Sequence, residues 1–325
     1  MARQEIAVVV PVFNEEAVLD VLVDHLKKVL EGPAVAGAGY AWNVLFVDDG
    51  STDGTLRRLR ELNVADKRFT TIAFSRNFGK ETALAAGFRY ARGDAVVLMD
   101  ADLQHPPEVI PQFIARWRAG DKVVFGQRQS RDADSFLRKL YSRLFHSIFR
   151  RIAQTKLPIG IVDFLLVDRK AVDALNRLGE RTRFSKGLYA WIGFPSSVVP
   201  FASPDRFIGT SRWSCFKLSQ FALDGFVSFS SLPLKVWSYV GALVSLFAIG
   251  YGIYFAIRTL IFNTDLPGFP SLIVSIMFFA GVQLVTLGIM GEYLARIYEE
   301  VKARPLFVIA EEIGVSGEAK PGKPE

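Results

Sequence analysis

Two long stretches without a charged residue, 236–257 and 269–291, constrain this chain more than any other feature in it. As helices, at about 1.5 Å per residue, each runs roughly 30 Å or more, enough to cross a hydrocarbon core. Uncharged runs of this length are rare in the helices of soluble proteins, so the reading is two transmembrane helices, over 233–258 and 269–295. The short link carries Arg258, Asp265, Pro267 and Pro270, which makes the pair a hairpin. Lys235 precedes the first run, and Arg296, Lys302 and Arg304 follow the second. The positive-inside rule then puts the large N-terminal region and the 296–325 tail together in the cytoplasm. The apolar start at 6–12 is too short for a signal peptide and runs into Asn14, Glu15 and Glu16.

Composition narrows the rest. Half of the 325 residues are hydrophobic, which excludes a disordered chain. One cysteine, Cys215, cannot close an internal disulfide, and three scattered histidines make a zinc site a poor fit. The net charge of +6 points to phosphate-bearing partners. Before the first span, Phe216, Leu218, Phe221, Ala222, Phe226 and Phe229 recur at near-helical spacing, so 213–232 reads as an amphipathic juxtamembrane segment. The tail from Val315 is rich in Gly, Pro and Lys and is expected to be disordered.

Residues 1–212 alternate between β-branched runs and helical periodicity. Strands are predicted at 6–11, 43–47, 70–74, 95–99 and 122–125, with helices at 15–30, 53–63, 81–91 and 107–118. Continuous apolar strands separated by helices imply an α/β fold, a mostly parallel sheet covered on both faces. Ligands of such sheets bind beyond the carboxyl ends of the strands. Four successive strand ends deliver polar residues there: Asn14-Glu15, the run from Asp48 to Gly54, Ser75-Arg76-Asn77 with Gly79-Lys80, and Asp100-Ala101-Asp102-Leu103-Gln104. One acidic turn would be a helix cap, and Asp53 reads as such. Four together read as a site.

Neither a dinucleotide fingerprint nor a P-loop is present, so backbone nests do not supply the phosphate site. Asp100 and Asp102, two apart at a strand end, are placed to share a hard divalent cation, Mg²⁺ or Mn²⁺, with a diphosphate. Gln104 adds another oxygen.

These motifs resemble the family 2 glycosyltransferases, and among them the polyprenyl-phosphate glycosyltransferases of the bactoprenol glucosyltransferase type. Dolichol-phosphate-mannose synthases look similar over the first two hundred residues. The resemblance rests on VVVPVFNEE from Val8, VDDGSTDGT from Val47, SRNFGKE from Ser75, DADLQHPPE from Asp100, DFLLVDR from Asp163, GTSRW around Arg212 and the two spans. It implies a Rossmann-like GT-A domain over 1–212. It also implies a nucleotide pocket of Pro11, Phe13, Glu15, Asp48, Asp49, Lys80 and Asp100, and a metal site of Asp100, Asp102 and Gln104. Arg128, Arg138, Arg206 and Arg212 match phosphate and acceptor contacts. Asp163 and Asp102 stand as catalytic residues. His105 departs from the pattern, since relatives often carry an acidic residue there. Gly209 stands where the QxxRW signature of processive synthases needs glutamine, so one sugar per acceptor is implied.

The implied partners are a nucleotide sugar, UDP-glucose first, and a polyprenyl (undecaprenyl) phosphate in a bacterial inner (plasma) membrane. A homo-oligomer, with a tetramer as the form relatives imply, fits the span glycines. Eight basic residues lie between Arg128 and Lys156 against Asp132 and Asp134, an excess equal to the +6 of the whole chain. A helix at 134–152 would set Phe136, Leu140, Tyr141, Leu144, Phe145 and Ile148 on one face, opposite Lys139, Arg143, His146 and Arg150, as suits a membrane surface. Nucleic acid is a poorer partner, because no binding motif accompanies the charge. Two other readings are open: the same donor chemistry on a diacylglycerol-type lipid, and a non-catalytic membrane scaffold.

Overall fold

The structure is a computed structural model that describes residues 3–129, 160–181, 183, 185–202, 232–262, 268–315 and 317. The chain divides into two compact units, Met1–Gln220 with Pro305–Glu325, and Phe221–Arg304.

The first unit is built on one eight-stranded sheet. β1 (Glu5–Val12), β2 (Ala41–Asp48), β3 (Phe69–Phe74) and β4 (Ala95–Leu98) are parallel, in the spatial order β4-β1-β2-β3. Their sequences are short β-branched runs, and the strand interiors are buried on both faces: Ile6, Val8 and Val10 point one way, Ala7 and Val9 the other, all at 0 % exposure. α1 (Glu16–Leu30) buries Leu19, Leu22, Leu26 and Leu30 on one stripe against the first face. Each buried leucine contributes roughly 1.5–3 kcal/mol. α2 (Thr55–Ala65) and α4 (Ile110–Arg118) join the same face, α4 entered through a 3₁₀ turn that begins at Pro107. α3 (Lys80–Tyr90) covers the other face so closely that a Cβ on Gly87 would lie 2.3 Å from Val9 Cγ1.

Three further strands complete the sheet. β5 (Val123–Arg128) and β7 (Ser196–Phe201) are parallel to each other, while β6 (Ile161–Asp168) runs antiparallel between β4 and β5. α5 (Arg169–Arg177) follows β6 and is capped by Asp168, whose other carboxylate oxygen accepts from Trp117 Nε1 at 2.7 Å and Lys122 Nζ at 3.0 Å. α6 (Ser185–Trp191) precedes β7. The predicted strands and helices up to residue 125 all form, within a few residues of their expected bounds.

β8 (Ile309–Ile313) corrects the sequence reading, which took 296–325 as a tail. It pairs antiparallel with β3 and closes that edge of the sheet. Its five-residue run IAEEI carries two adjacent acidic residues, so periodicity alone did not mark it; the partner that satisfies its backbone lies more than two hundred residues earlier. Phe307 stacks on Phe74 with ring centroids 5.1 Å apart, and Arg60 grips Glu311 with both arms of its guanidinium.

The second unit holds two long helices, α7 (Leu232–Phe262) and α8 (Phe269–Lys302). Among the described residues one segment, Leu272–Lys302, is long and apolar enough to cross a membrane, with a mean hydropathy of 2.3 and no buried residues in its apolar window. α7 reaches 31 residues and leaves Tyr239, Leu243 and Phe247 exposed. The expected juxtamembrane segment and the basic helix at 134–152 lie outside the described residues.

Candidate active site

The carboxyl ends of β1, β2, β3, β4 and β5 open on one rim, and the loops there are stitched together by polar residues. Asn14, in the left-handed region at φ 57°, donates its backbone N–H to Ser51 Oγ and accepts the Thr52 N–H on its side chain at 2.8 Å. Glu15 donates its backbone N–H to Thr55 Oγ1. Asp53, expected as a helix cap, instead precedes the N-cap Gly54 of α2 and ties the two loops together, accepting the N–H of Thr55 and of Glu16. Gly50 sits where only glycine fits: φ is +73° and a Cβ would lie 2.4 Å from the Arg76 backbone carbon.

Asp48 and Asp49 are nearly fully buried, and their oxygens have protein partners. Asp48 accepts the Ser51 N–H and hydroxyl. Asp49 accepts the Phe78 N–H at 2.7 Å and the Gly79 N–H at 3.0 Å, which fixes the loop leading into α3. Burial pushes both carboxyls up, against those hydrogen bonds. Phe13 stands exposed on the same rim, with Pro11 half-buried behind it.

The rim's charged centre is made by β4, β6 and α3. Leu98 pairs with Leu165 across antiparallel β4 and β6, so continuing that register by two residues sets Asp163 opposite Asp100. Lys80, the first residue of α3, bridges them: its ammonium is 2.6 Å from Asp100 Oδ1 and 3.3 Å from Asp163 Oδ2. Burial would lower the Lys80 pKa, but the two carboxylates outweigh it and raise it. Burial likewise pushes Asp163 up, but Lys186 and Lys80 outweigh it and hold the carboxyl below its ordinary value. Asp163 is therefore a committed anion. Its other oxygen, Oδ1, is buried and accepts no hydrogen bond among the described residues.

The loop from Asp100 to His105 is held from below. His105 Nδ1 accepts the Asp100 N–H at 2.9 Å, which requires the neutral imidazole with its proton on Nε2. The ring lies flat on Phe164 at 5.0 Å and edge-on to Phe201 at 6.1 Å. Burial lowers its pKa, as that role needs. Leu103 takes φ 59°, a conformation L side chains rarely adopt, and Asp102 Oδ1 accepts the Gln104 N–H. Among the described residues no group of three or more His, Cys, Asp or Glu side chains forms a ready cage for a metal ion.

Of the expected site residues, the structure brings Asp100, Asp163 and Lys80 into direct contact and sets Asp102 and Gln104 in the adjoining loop. Arg128 ends β5 on the same rim, exposed, while Arg138, Arg206 and Arg212 lie outside the described residues. Sequence reasoning missed four residues. Glu81 accepts the backbone N–H of Ser185 at 3.0 Å and also its hydroxyl, and Lys186 Nζ stands 3.9 Å from Asp163 Oδ2. The fourth is His105, noted only as a departure. Glu81 closes the SRNFGKE run but had no role there, and no motif marks Ser185 or Lys186, which meet the site through α6, an element read off only in three dimensions.

Residues 7–175 match the model of the family described as glycosyl transferase family 2. An uncharacterized glycosyltransferase of Synechocystis is 43% identical over 94% of this chain and 95% of its own length. The SfII prophage-derived bactoprenol glucosyl transferase of Shigella flexneri is 40% identical over 94% and 97%. Among solved structures, glucosyl-3-phosphoglycerate synthase from Mycobacterium tuberculosis, crystallised with Mn²⁺ and UDP-glucose, aligns with TM-score 0.48 and 20% identity over 70% of this chain and 78% of that one, a likeness too distant to carry an argument. A carboxylate rim on a mostly parallel sheet and near full-length relatedness meet in one conclusion: the chain belongs to the family 2 glycosyltransferases and is a sugar-transferring enzyme.

Proposed function

We propose that the chain transfers one hexose, from UDP-glucose as the first donor to test, to a polyprenyl phosphate at the cytoplasmic face of the bacterial plasma membrane, inverting the anomeric carbon. The observation that carries this reading is the bridge from Asp100 through Lys80 to Asp163, whose Oδ1 has no hydrogen-bond partner among the described residues. Such a centre alternates negative and positive groups, which suits two anionic substrates that must be brought together. Relatives named bactoprenol glucosyl transferase align over nearly their whole length, helices included, which supports the lipid-phosphate acceptor over a diacylglycerol.

A membrane site is supported by chain topology. β7 before the helices and β8 after them belong to the same sheet. If α8 crosses a membrane, a second crossing must return the chain, and α7 is the helix of the right length. The glycines Gly241, Gly250, Gly252, Gly281, Gly288 and Gly291 have open space around them in the single chain, which suits helix packing in an oligomer such as a tetramer.

The residues present fit a divalent cation. Mg²⁺ is held by one or two carboxylates plus substrate phosphates rather than by a full protein cage. Asp100 already attracts a cation, the Lys80 ammonium, at 2.6 Å. Asp100, Asp102 and Gln104 would hold Mg²⁺ or Mn²⁺, which when bound takes up charge on the diphosphate as it leaves. His105 keeps the Asp100 backbone in place. Pro11, Phe13 and Glu15 line the base side, with Asp48 and Asp49 setting the loops behind it. Arg128, Arg138, Arg206 and Arg212 would draw the phosphates in.

The nucleophile is a phosphate monoester oxygen, already ionised near neutrality because its second pKa is about 6. It attacks the anomeric carbon as the bond to the diphosphate oxygen breaks, and the nucleoside diphosphate departs. No strong base is needed. Asp163, held ionised, positions Lys80 and Lys186 rather than removing a proton.

The test offers a panel of labelled nucleotide sugars with undecaprenyl phosphate and Mg²⁺ or Mn²⁺, scored by label in the lipid phase. A product cleaved by mild acid, and lost in Asp102→Asn, supports the reading. An acid-stable lipid product, or none from any donor, overturns it.

A further inference from the structure

Lys80 and Glu81 are consecutive at the start of α3, and each grips a different neighbour. Lys80 takes Asp100 and Asp163, while Glu81 takes the N–H and hydroxyl of Ser185, the first residue of α6. Glu81 is drawn in beside Asp163, and Ser185 is buried at 4 % exposure. This latch fixes the backbone from which Lys186 projects. Lys186 therefore reaches Asp163 from α6, and the contacts link the charged groups in the order Asp100, Lys80, Asp163, Lys186.

The two lysines are held differently. Lys80 is within hydrogen-bond distance of Asp100 and contacts Asp163 as well. Lys186 sits 3.9 Å from Asp163 Oδ2, beyond hydrogen-bond distance, with its side chain 28% exposed. An ammonium has three donors, and among the described residues no hydrogen bond uses those of Lys186. It is a cation with spare donors beside a carboxylate whose other oxygen, Oδ1, is buried with no partner among the described residues.

We propose that Lys186, set in place by the Glu81–Ser185 latch, binds the phosphate monoester of the acceptor. The inference rests on the reaction proposed above, and it assigns the two substrates to the two ends of the charged row. The donor's diphosphate belongs at Asp100 and Asp102. The acceptor's phosphate belongs beyond Asp163, where Lys186 supplies the donors and Asp163 keeps the ammonium aimed. Asp163 Oδ1 is then free to accept from a hydroxyl of the sugar that lies between the two phosphates.

The experiment compares wild type with Lys186→Met and Lys186→Arg in the full-length chain. It measures KM for each substrate, and separately the binding of UDP and of a short, water-soluble isoprenyl phosphate by calorimetry. Lys186→Met should raise the acceptor KM by about tenfold to a hundredfold, the value of a charge-assisted hydrogen bond, with donor KM and UDP affinity within twofold of wild type. Lys186→Arg should recover most of the acceptor affinity. A rise in donor KM or a loss of UDP affinity, with the acceptor unchanged, overturns the assignment. If wild type makes no lipid-phosphate product, the parent reading fails, and the calorimetry still decides the site: isoprenyl phosphate that binds independently of Lys186 rejects it.

Discussion

Asp163 stands opposite Asp100 across two antiparallel strands, and the Lys80 ammonium lies between them, 3.3 Å from one and 2.6 Å from the other. Both carboxylates face that one ammonium. The pair therefore forms an electrostatic frame, and that has consequences for kinetics.

Asp163→Asn removes the charge and keeps the shape. Loss of a preorganised charge in an active site costs about a hundredfold to a thousandfold in kcat. If Asp163 positions the lysines as proposed, raising the pH to ionise the acceptor fully should not restore the rate. Initial rates from pH 6.5 to 9 check this, and recovery at the alkaline end would return Asp163 to a proton-transfer role.

The acid limb of the pH profile should belong to the substrate. Asp163 has a depressed carboxyl, so its contribution to stability is complete above the ordinary carboxylate range and is lost only as pH falls through that lower value. Lys80 is raised, so its contribution persists below the ordinary lysine value and fades only above it. Between those limits Asp163 and Lys80 do not titrate. The limb of kcat/KM near pH 6 should then track the phosphate's second ionisation, about 6, and should move when the acceptor is replaced by a phosphonate.

His105→Ala would leave the Asp100 N–H without its acceptor and open a gap beside Phe164. An unsatisfied buried group costs about 1–3 kcal/mol. We expect a lower unfolding midpoint together with weaker Mn²⁺ binding, read by electron paramagnetic resonance, because the loop bearing Asp102 loses its anchor. Unchanged Mn²⁺ affinity would leave His105 a packing residue only.

The C-terminal strand offers two contacts of different worth. Phe307 is half-buried, stacked on Phe74 and set edge-on to Tyr90, so Phe307→Ala should cost about 2 kcal/mol, below the range for a fully buried ring. The Arg60–Glu311 pair is largely exposed, and Glu311→Gln should cost less than about 1 kcal/mol. Thermal unfolding of the two variants separates them; a larger loss for Glu311→Gln than for Phe307→Ala would show that the ion pair, not the ring, dominates at this edge.

Much of this protein is legible in one dimension. The apolar strands from Ile6, Asn43, Thr70 and Ala95 and the amphipathic helices between them are local patterns, continuous apolar runs in the strands and burial every third and fourth residue in the helices. The polar strand ends, and hence Asp100 and Asp102, follow from the parallel sheet they imply. Pairing across distance is not local. The insertion of β6 in reverse between β4 and β5 puts Asp163 against Asp100, and the return of β8 to β3 makes Phe307 a neighbour of Phe74. Lys186 meets Asp163 only because Glu81 holds α6 by its first residue. The sequence by itself determined which segments are strands, helices or apolar runs, since each needs only its own neighbours to bury or expose. The tertiary structure alone decided which charges face one another, because an ion pair depends on distance in space, and distance along the chain does not set it.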